Sequence, residues 1–198
     1  MNQGQKWILF SQDGIFNKYG ELLISHLIES QFDVESILLP NGEIAKSLSE
    51  VEDIYSRLIK LGCDRSATFM ALGGGVVGDV TGYVAGTFMR GVDYIQIPTT
   101  LLAMVDSSIG GKTGINTSEG KNLIGSIYQP QGVLVDPTIL DFLSREEVHA
   151  GLGEVIKYGA IRDSKFFNDI SEWLDDIESF PFEKAIYRAC EIKAEIVS

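Results

Sequence analysis

Two rhythms of apolar residues alternate along the first half of the chain. Trp7 to Phe10 (WILF), Val34 to Leu39 (VESILL), Thr68 to Leu72 (TFMAL) and Val92 to Ile97 are short β-capable runs of strand length. Between them, Tyr19 to Ser30 carries Leu22, Leu23 and Leu27 at helical spacing, with His26 read as a half-buried surface histidine. Ser47 to Leu61 repeats the helical pattern through Leu48, Val51, Ile54, Tyr55 and Leu58, and Gly62 stops it. Strand, helix, strand, helix predicts a layered, mostly parallel α/β domain with ligands at the carboxyl ends of the strands. Gly132 to Val135 reads as its last strand, and Asp136-Pro137 marks a change of regime. Everything beyond is helical: Ser144 to Glu147 has capping-box spacing and starts a helix carrying His149, Glu154 and Lys157, followed by Lys165 to Leu174 and Phe182 to Ser198. The expected division is an α/β domain over 1–136 and the beginning of a helical domain over 137–198. The last pattern has no C-cap, glycine or proline, so the chain is expected to lack its natural end.

The third strand leads directly into Gly73-Gly74-Gly75-Val76-Val77-Gly78. That is a strand, a tight turn and a helix start, and it matches G-x-G-x-x-G, a weak signal by itself. Without side chains such a turn lets backbone N–H groups and the helix N-terminus approach a phosphate. Two features depart from the ordinary form: the next strand ends in Pro98-Thr99-Thr100 rather than an acidic residue, and Asp79 directly follows the last glycine. Asp79 either caps the helix or reaches past the phosphates toward a ribose or nicotinamide. Gly78, Gly82 and Gly86 then recur on one helical face, at about 1 kcal/mol each relative to alanine, which predicts something packed very close to it, a neighbouring strand or helix in preference to a ligand.

Composition narrows the classes. With 198 residues, 44% hydrophobic, the chain can bury a sizeable core, and no apolar run nears membrane-spanning length. The first ten residues lack a signal-peptide pattern, so a cytoplasmic protein is expected. Cys63 and Cys190 have no metal or redox spacing, which fits buried thiols in a reducing compartment. A net charge of −12 argues against nucleic acid and makes a local group of lysines a pointer to a small anionic ligand.

Such a group lies between Thr99 and Asn122. Gly110-Gly111-Lys112-Thr113 ends like a P-loop, yet Asp106 stands where the first glycine belongs, and a carboxylate would oppose a phosphate cradle. Asp106 is therefore read as a polar residue closing an apolar helix (TTLLAMV), with Lys112 and Lys121-Asn122 each following glycine on a loop or hairpin. One such lysine would be a solvated hairpin residue; two beside an Asp and a glycine turn favour an anion site. Glu154 and Lys157 share a helix face. An ordinary surface ion pair competes there with an inward-facing functional pair, which the small, apolar surroundings (GLGEVIKYGAI) favour.

Taken together, GGGVVGD at Gly73 to Asp79, MRG at Met89 to Gly91, PTTLLAMVDSSIGGKTGIN at Pro98 to Asn116, GKNLIG at Gly120 to Gly125 and GEVIKYG at Gly153 to Gly159 resemble the 3-dehydroquinate synthase family. The resemblance implies a Rossmann-like, mostly parallel NAD-binding α/β domain followed by the start of an all-helical domain, with NAD and a divalent metal, zinc or cobalt, as cofactors. It implies a nucleotide turn at Gly74, Gly75, Val76, Val77, Gly78 and Asp79, and a ribose contact at Asn41, Gly42, Glu43 and Lys46. Further cofactor contacts are implied at Thr99, Thr100, Lys112 and Lys121, and at Ile139, Leu140, Asp141 and Phe142, which would close over the adenine end. Asp106, Lys112, Lys121, Asn122, Lys157 and Lys193 would form the substrate shell, and Arg90 would reach a phosphate site in the partner of a homodimer. Glu154 would be one metal ligand. The implied substrate is an anionic sugar phosphate, 3-deoxy-D-arabino-heptulosonate 7-phosphate, converted to 3-dehydroquinate and phosphate in the shikimate pathway.

Three positions depart from the family pattern. Gln12-Asp13 stands where an acidic ribose contact is common, Phe142 where a small hydroxylic residue is common, and neither His26 nor His149 matches the family's two metal-binding histidines. One carboxylate cannot make a three-ligand site, so this chain is expected to be inactive alone. The competing readings are another sugar-phosphate cyclase of the 2-deoxy-scyllo-inosose synthase type, a metal-dependent polyol dehydrogenase, and a non-catalytic NAD-binding module.

Overall fold

The computed structural model describes residues 5–197. The first four residues of the leader reading, and Ser198 at the end of the last helical pattern, lie outside the described residues.

Strand β1 (Lys6–Gln12) runs straight into a short helix α1 (Asp13–Ile15), a π-helical turn (Phe16–Gly20) and α2 (Glu21–Glu29), so helical structure begins earlier than its apolar stripe. Then follow β2 (Asp33–Leu39), a 3-10 turn (Gly42–Ala45), α3 (Leu48–Lys60), β3 (Thr68–Gly73), α4 (Gly75–Thr87), a 3-10 turn (Phe88–Arg90) and β4 (Asp93–Pro98). Past a π-helical turn (Ala103–Ser107), β5 (Lys112–Thr117) and β6 (Gly120–Ile127) form a separate antiparallel pair. The last strand, β7, is only Gly132–Val133: Val135, expected in the sheet, leaves it to pack against the helical core. A 3-10 turn (Pro137–Phe142), α5 (Arg145–Arg162), α6 (Ser164–Trp173), a short 3-10 turn (Ile177–Ser179) and α7 (Phe182–Val197) complete the chain. No helix among the described residues is long and apolar enough to cross a membrane.

The main sheet is parallel throughout, ordered β2-β1-β3-β4-β7. It is the expected layered α/β sheet, with its strand order reversing direction between β1 and β3, which is where such sheets bind ligands. Both faces are covered, which explains the unbroken apolar runs. Ile8, Phe10, Phe69 and Ala71 point to one side, against Val51, Ile54 and Leu58 of α3 and Val77, Val80 and Val84 of α4. Leu9, Met70 and Leu72 point to the other, against Leu23, Ile24 and Leu27 of α2. A third core joins Leu101, Met104 and Val105, from the segment after β4, to Leu152, Val155 and Tyr158 of α5 and Ala189 and Ile192 of α7. The helical layer is thus seated on the segment that carries Asp106.

Helix α4 lies against β4 and the hairpin at the glycine face anticipated from the sequence. A Cβ on Gly78 would sit 2.6 Å from Gln96 Oε1, one on Gly82 would sit 2.4 Å from Thr113 Cγ2 and 3.1 Å from the Tyr94 hydroxyl, and one on Gly86 would meet Tyr128 at 3.1 Å. The neighbours of Gly82 cannot easily yield, because Thr113 Oγ1 donates to the Ser126 carbonyl (3.0 Å) and the Tyr94 hydroxyl donates to that of Tyr128 (2.9 Å). Gly82→Ala is therefore expected to lower stability by about 1–2 kcal/mol, overpacking outweighing the gain in helix propensity. Gly153→Ala, on α5 with nothing within 4 Å of the added methyl, is expected to raise it by up to about 1 kcal/mol. Urea midpoints decide it: a Gly82→Ala midpoint at or above the parent's contradicts the close packing.

Candidate active site

Two features open at the carboxyl edge of the sheet. The first is the glycine turn. Gly74 is the N-cap of α4, extended and with no side-chain cap. Asp79 is therefore not the cap; it lies one turn inside the helix and is engaged elsewhere. A Cβ on Gly74 would come 3.3 Å from Thr100 Cγ2, and one on Gly75 would come 3.1 Å from Ser107 Oγ, so the turn is walled by the segment after β4. The Thr99 hydroxyl is buried without a partner. An uncapped helix N-terminus, two glycines and an unpaired hydroxyl beside the point where the strand order reverses suit the phosphates of a dinucleotide.

Around this turn the other implied cofactor residues are distributed unevenly. Asn41, Gly42 and Glu43 are exposed after β2, whereas Lys46 is 3% exposed and turned inward. Gln12 is committed within the sheet edge, donating through Nε2 to the Pro40 carbonyl at 2.7 Å. Ile139 and Leu140 are buried in the helical core, while Asp141 and Phe142 are exposed, Phe142 lying under Lys18 Nζ at 4.1 Å from the ring centroid.

The second feature is a cavity of about 600 Å³ lined by Asp79, Asp106, Ser107, Lys112, Asn122 and Lys193, with the hairpin as one wall. The sequence placed Asp106, Lys112, Asn122 and Lys193 in one shell, and they do share this cavity. Lys121 is not part of it: its ammonium lies 3.8 Å from Glu43 and is largely exposed. Arg90 also lies elsewhere, on an exposed turn where Met89 (φ 51°), Arg90 (φ 69°) and Gly91 (φ 123°) all have left-handed backbone.

Asp106 is the electrostatic centre. It sits on the π-helical turn Ala103–Ser107, an irregularity that apolar spacing does not announce. Tyr158 donates its hydroxyl to Oδ1 at 2.6 Å, Lys193 Nζ donates to the same oxygen at 2.7 Å, and Lys157 Nζ stands 3.7 Å away. Burial would raise the pKa of this carboxyl; the hydrogen bonds from Lys193 and Tyr158 and the two ammonium charges outweigh it and hold the group below its ordinary value. Tyr158 is the site residue that sequence reasoning passed over. It lies within GEVIKYG, and its aromatic ring at a core position of α5 disguised the hydroxyl.

Asp79 responds in the opposite sense. Burial pushes its carboxyl up despite the hydrogen bond from Lys46 Nζ at 2.5 Å. Lys46 also donates to Asn122 Oδ1 at 2.5 Å, so its ammonium joins α4 to the hairpin.

Glu154 is half-buried and pairs with Lys157, its neighbour three residues on. No group of three or more His, Cys, Asp or Glu side chains able to hold a metal occurs among the described residues. Glu154 suits a single ligand position, and the described residues do not complete a metal site.

Residues 36–150 match the family model described as 3-dehydroquinate synthase N-terminal, and residues 151–198 match the C-terminal model of the same enzyme. The chain is 46% identical to a 3-dehydroquinate synthase of Picosynechococcus sp., over all of its own length and 56% of the relative's. The structure resembles a 2-deoxy-scyllo-inosose synthase solved with carbaglucose-6-phosphate, NAD+ and Co2+, with a TM-score of 0.84 and 28% identity over 98% of this chain and 53% of that one. It also resembles a 2-epi-5-epi-valiolone synthase from Streptomyces hygroscopicus with NAD+ and Zn2+ bound, with a TM-score of 0.88 and 27% identity over 96% of this chain and 54% of that one. The chain thus spans little more than half the length of each of these three proteins.

Asp106→Asn is expected to cost about 2 kcal/mol at pH 7, because it leaves the Lys193 ammonium without its counter-charge. Because the folded-state value is depressed, the ionised carboxylate stabilises the fold above its unfolded value, near pH 4, and that contribution is lost as pH falls through the folded value. The stability difference between parent and variant should accordingly shrink between pH 5 and pH 3 in urea titrations. A pH-independent difference would show that the charge of Asp106 is not what the two lysines stabilise.

Proposed function

Because the chain belongs to the 3-dehydroquinate synthase family, we propose that it supplies the nucleotide turn and much of the substrate cavity of an enzyme converting 3-deoxy-D-arabino-heptulosonate 7-phosphate to 3-dehydroquinate and phosphate. The observation that carries the reading is the convergence of Asp106, Lys112, Asn122 and Lys193 on one cavity in an otherwise acidic chain. Such a substrate has a phosphate, a carboxylate and several hydroxyls; the cavity offers the ammonium groups of Lys112 and Lys193 for the anionic ends, and the Asn122 amide and the carboxylates of Asp79 and Asp106 for the hydroxyls.

The Gly74–Gly78 turn would hold NAD, which would supply reversible hydride acceptance. The chain's own residues bind and orient. Lys112 and Lys193 neutralise the anionic ends of the substrate, and Asn122 positions it from the hairpin wall. Asp106 is a hydrogen-bond acceptor for a substrate hydroxyl; its lowered pKa makes it a weak base, so it orients more than it abstracts. Lys157 belongs to the same shell and screens Asp106 from Glu154, with which it pairs. Lys121 and Glu43 act at the cofactor edge, and Arg90 reaches the phosphate site of the other subunit of a cytoplasmic homodimer. Glu154 gives one metal ligand, and turnover requires metal donors beyond it.

The cyclases that resemble this chain leave a second reading, an aminocyclitol or valiolone precursor as product. The 46% identity to a 3-dehydroquinate synthase against 27–28% to those cyclases favours the first.

The test compares this chain with one extended to the full length of its relatives, each given the heptulosonate phosphate, NAD and Zn2+. Phosphate release with 3-dehydroquinate formation is expected in the extended chain only. Lys112→Ala in that background should reduce turnover at least about tenfold. Release of phosphate by the 198-residue chain itself would overturn the dependence on further metal donors, and a cyclitol product would move the assignment to the second reading.

A further inference from the structure

The three cations and donors around Asp106 are not shared between its two oxygens. The Tyr158 hydroxyl, the Lys193 ammonium and the nearest approach of Lys157 all address Oδ1. A carboxylate accepts through both oxygens in roughly the same plane. With Oδ1 saturated from the helical side, Oδ2 is the oxygen left to meet a ligand in the cavity that Asp106 lines.

Among these donors Tyr158 is the one with fixed geometry. Its ring is 1% exposed and locked in the helical core, so the hydroxyl projects from a rigid platform. The two lysines reach Asp106 on flexible stems, and Lys157 divides its charge between Asp106 and Glu154. A buried phenol bonded to a carboxylate at 2.6 Å fixes the plane of that carboxylate as well as its charge. The anchor acts on a side chain carried by a π-helical turn, a departure from the regular helix.

We propose that Tyr158 is a positioning residue: it holds Asp106 in one rotamer by occupying Oδ1 and so presents Oδ2 to the substrate. The carboxylate is then correctly aimed only when α5 is docked on the segment after β4, which links the assembly of the helical layer to the competence of the cavity. The proposal rests on the functional reading above for its catalytic consequence, and on geometry alone for the aim of Asp106.

Two measurements separate these. In the isotopically labelled chain, three-bond couplings of Asp106 Cγ to backbone nitrogen and carbonyl report its χ1 rotamer; a single rotamer is expected in the parent and averaging in Tyr158→Phe, which keeps the ring and removes only the hydroxyl. An averaged rotamer in the parent would overturn the proposal without recourse to any variant, and an unaveraged one in a folded Tyr158→Phe chain would overturn it equally. In the extended enzyme, Tyr158→Phe should lower kcat about tenfold with KM changed less than about twofold, the pattern of a misaimed group rather than a lost contact. A fall in the unfolding midpoint with kcat intact would make Tyr158 a packing residue only. Absence of turnover in the parent enzyme would sink the functional reading and leave the coupling result standing.

Discussion

The buried ammonium of Lys46 is the joint on which the site side of this fold rests. It is almost without solvent, and taking a charge out of water costs several kcal/mol unless partners replace the lost hydration. Asp79 of α4 and Asn122 of β6 are those partners, and the Lys46 backbone carbonyl accepts from the Asn116 amide of β5 at 2.8 Å. Three separate pieces are thereby referred to one point: the turn after β2, the helix behind the glycine turn, and the hairpin. Glu43 adds a second tie, accepting from Asn116 Nδ2 at 2.6 Å. Since an ammonium can only donate, the oxygen of the Asn122 amide must face Lys46, and its NH2 is left for the cavity.

Opposite this joint, the helical layer meets the α/β layer through apolar packing and a polar group centred on Asp106. Leu101, Met104 and Val105 supply the apolar part, and Asp106, next in sequence, supplies the polar part. The cavity therefore has walls from two independently packed layers. Asp79 and Asn122 belong to the side fixed by Lys46; Asp106 and Lys193 belong to the side fixed by helix docking. Their opposite shifts in acidity follow from the donors each can recruit. One ammonium does not offset burial at Asp79, whereas two ammonium groups and a phenol more than offset it at Asp106.

Much of this was legible in the chain. Strands buried on both faces read as continuous apolar runs, and Ser144 with Glu147 announced the start of α5 through a capping box that does form. The glycine repeat of α4 foretold a close neighbour, though not that the neighbour would be a hairpin. What could not be read was long-range: that Lys46 and Asn122, 76 residues apart, share a hydrogen bond, and that Tyr158 reaches back 52 residues to Asp106. Tyrosine in a helix core is ordinary by pattern, and only the fold shows where its hydroxyl ends. The π-helical turn at Ala103–Ser107 was hidden for a similar reason, because one extra residue per turn leaves no mark in so short an apolar segment.

The β5–β6 pair stands outside the main sheet, joined to it by side chains and by the missing Cβ atoms of α4 rather than by a ladder of backbone hydrogen bonds. Backbone ladders survive almost any substitution; side-chain joints do not. The hairpin is consequently the element whose placement hangs on individual side chains: a change at Thr113 or Asn122 would shift this wall of the cavity while leaving every pairing of the main sheet in place.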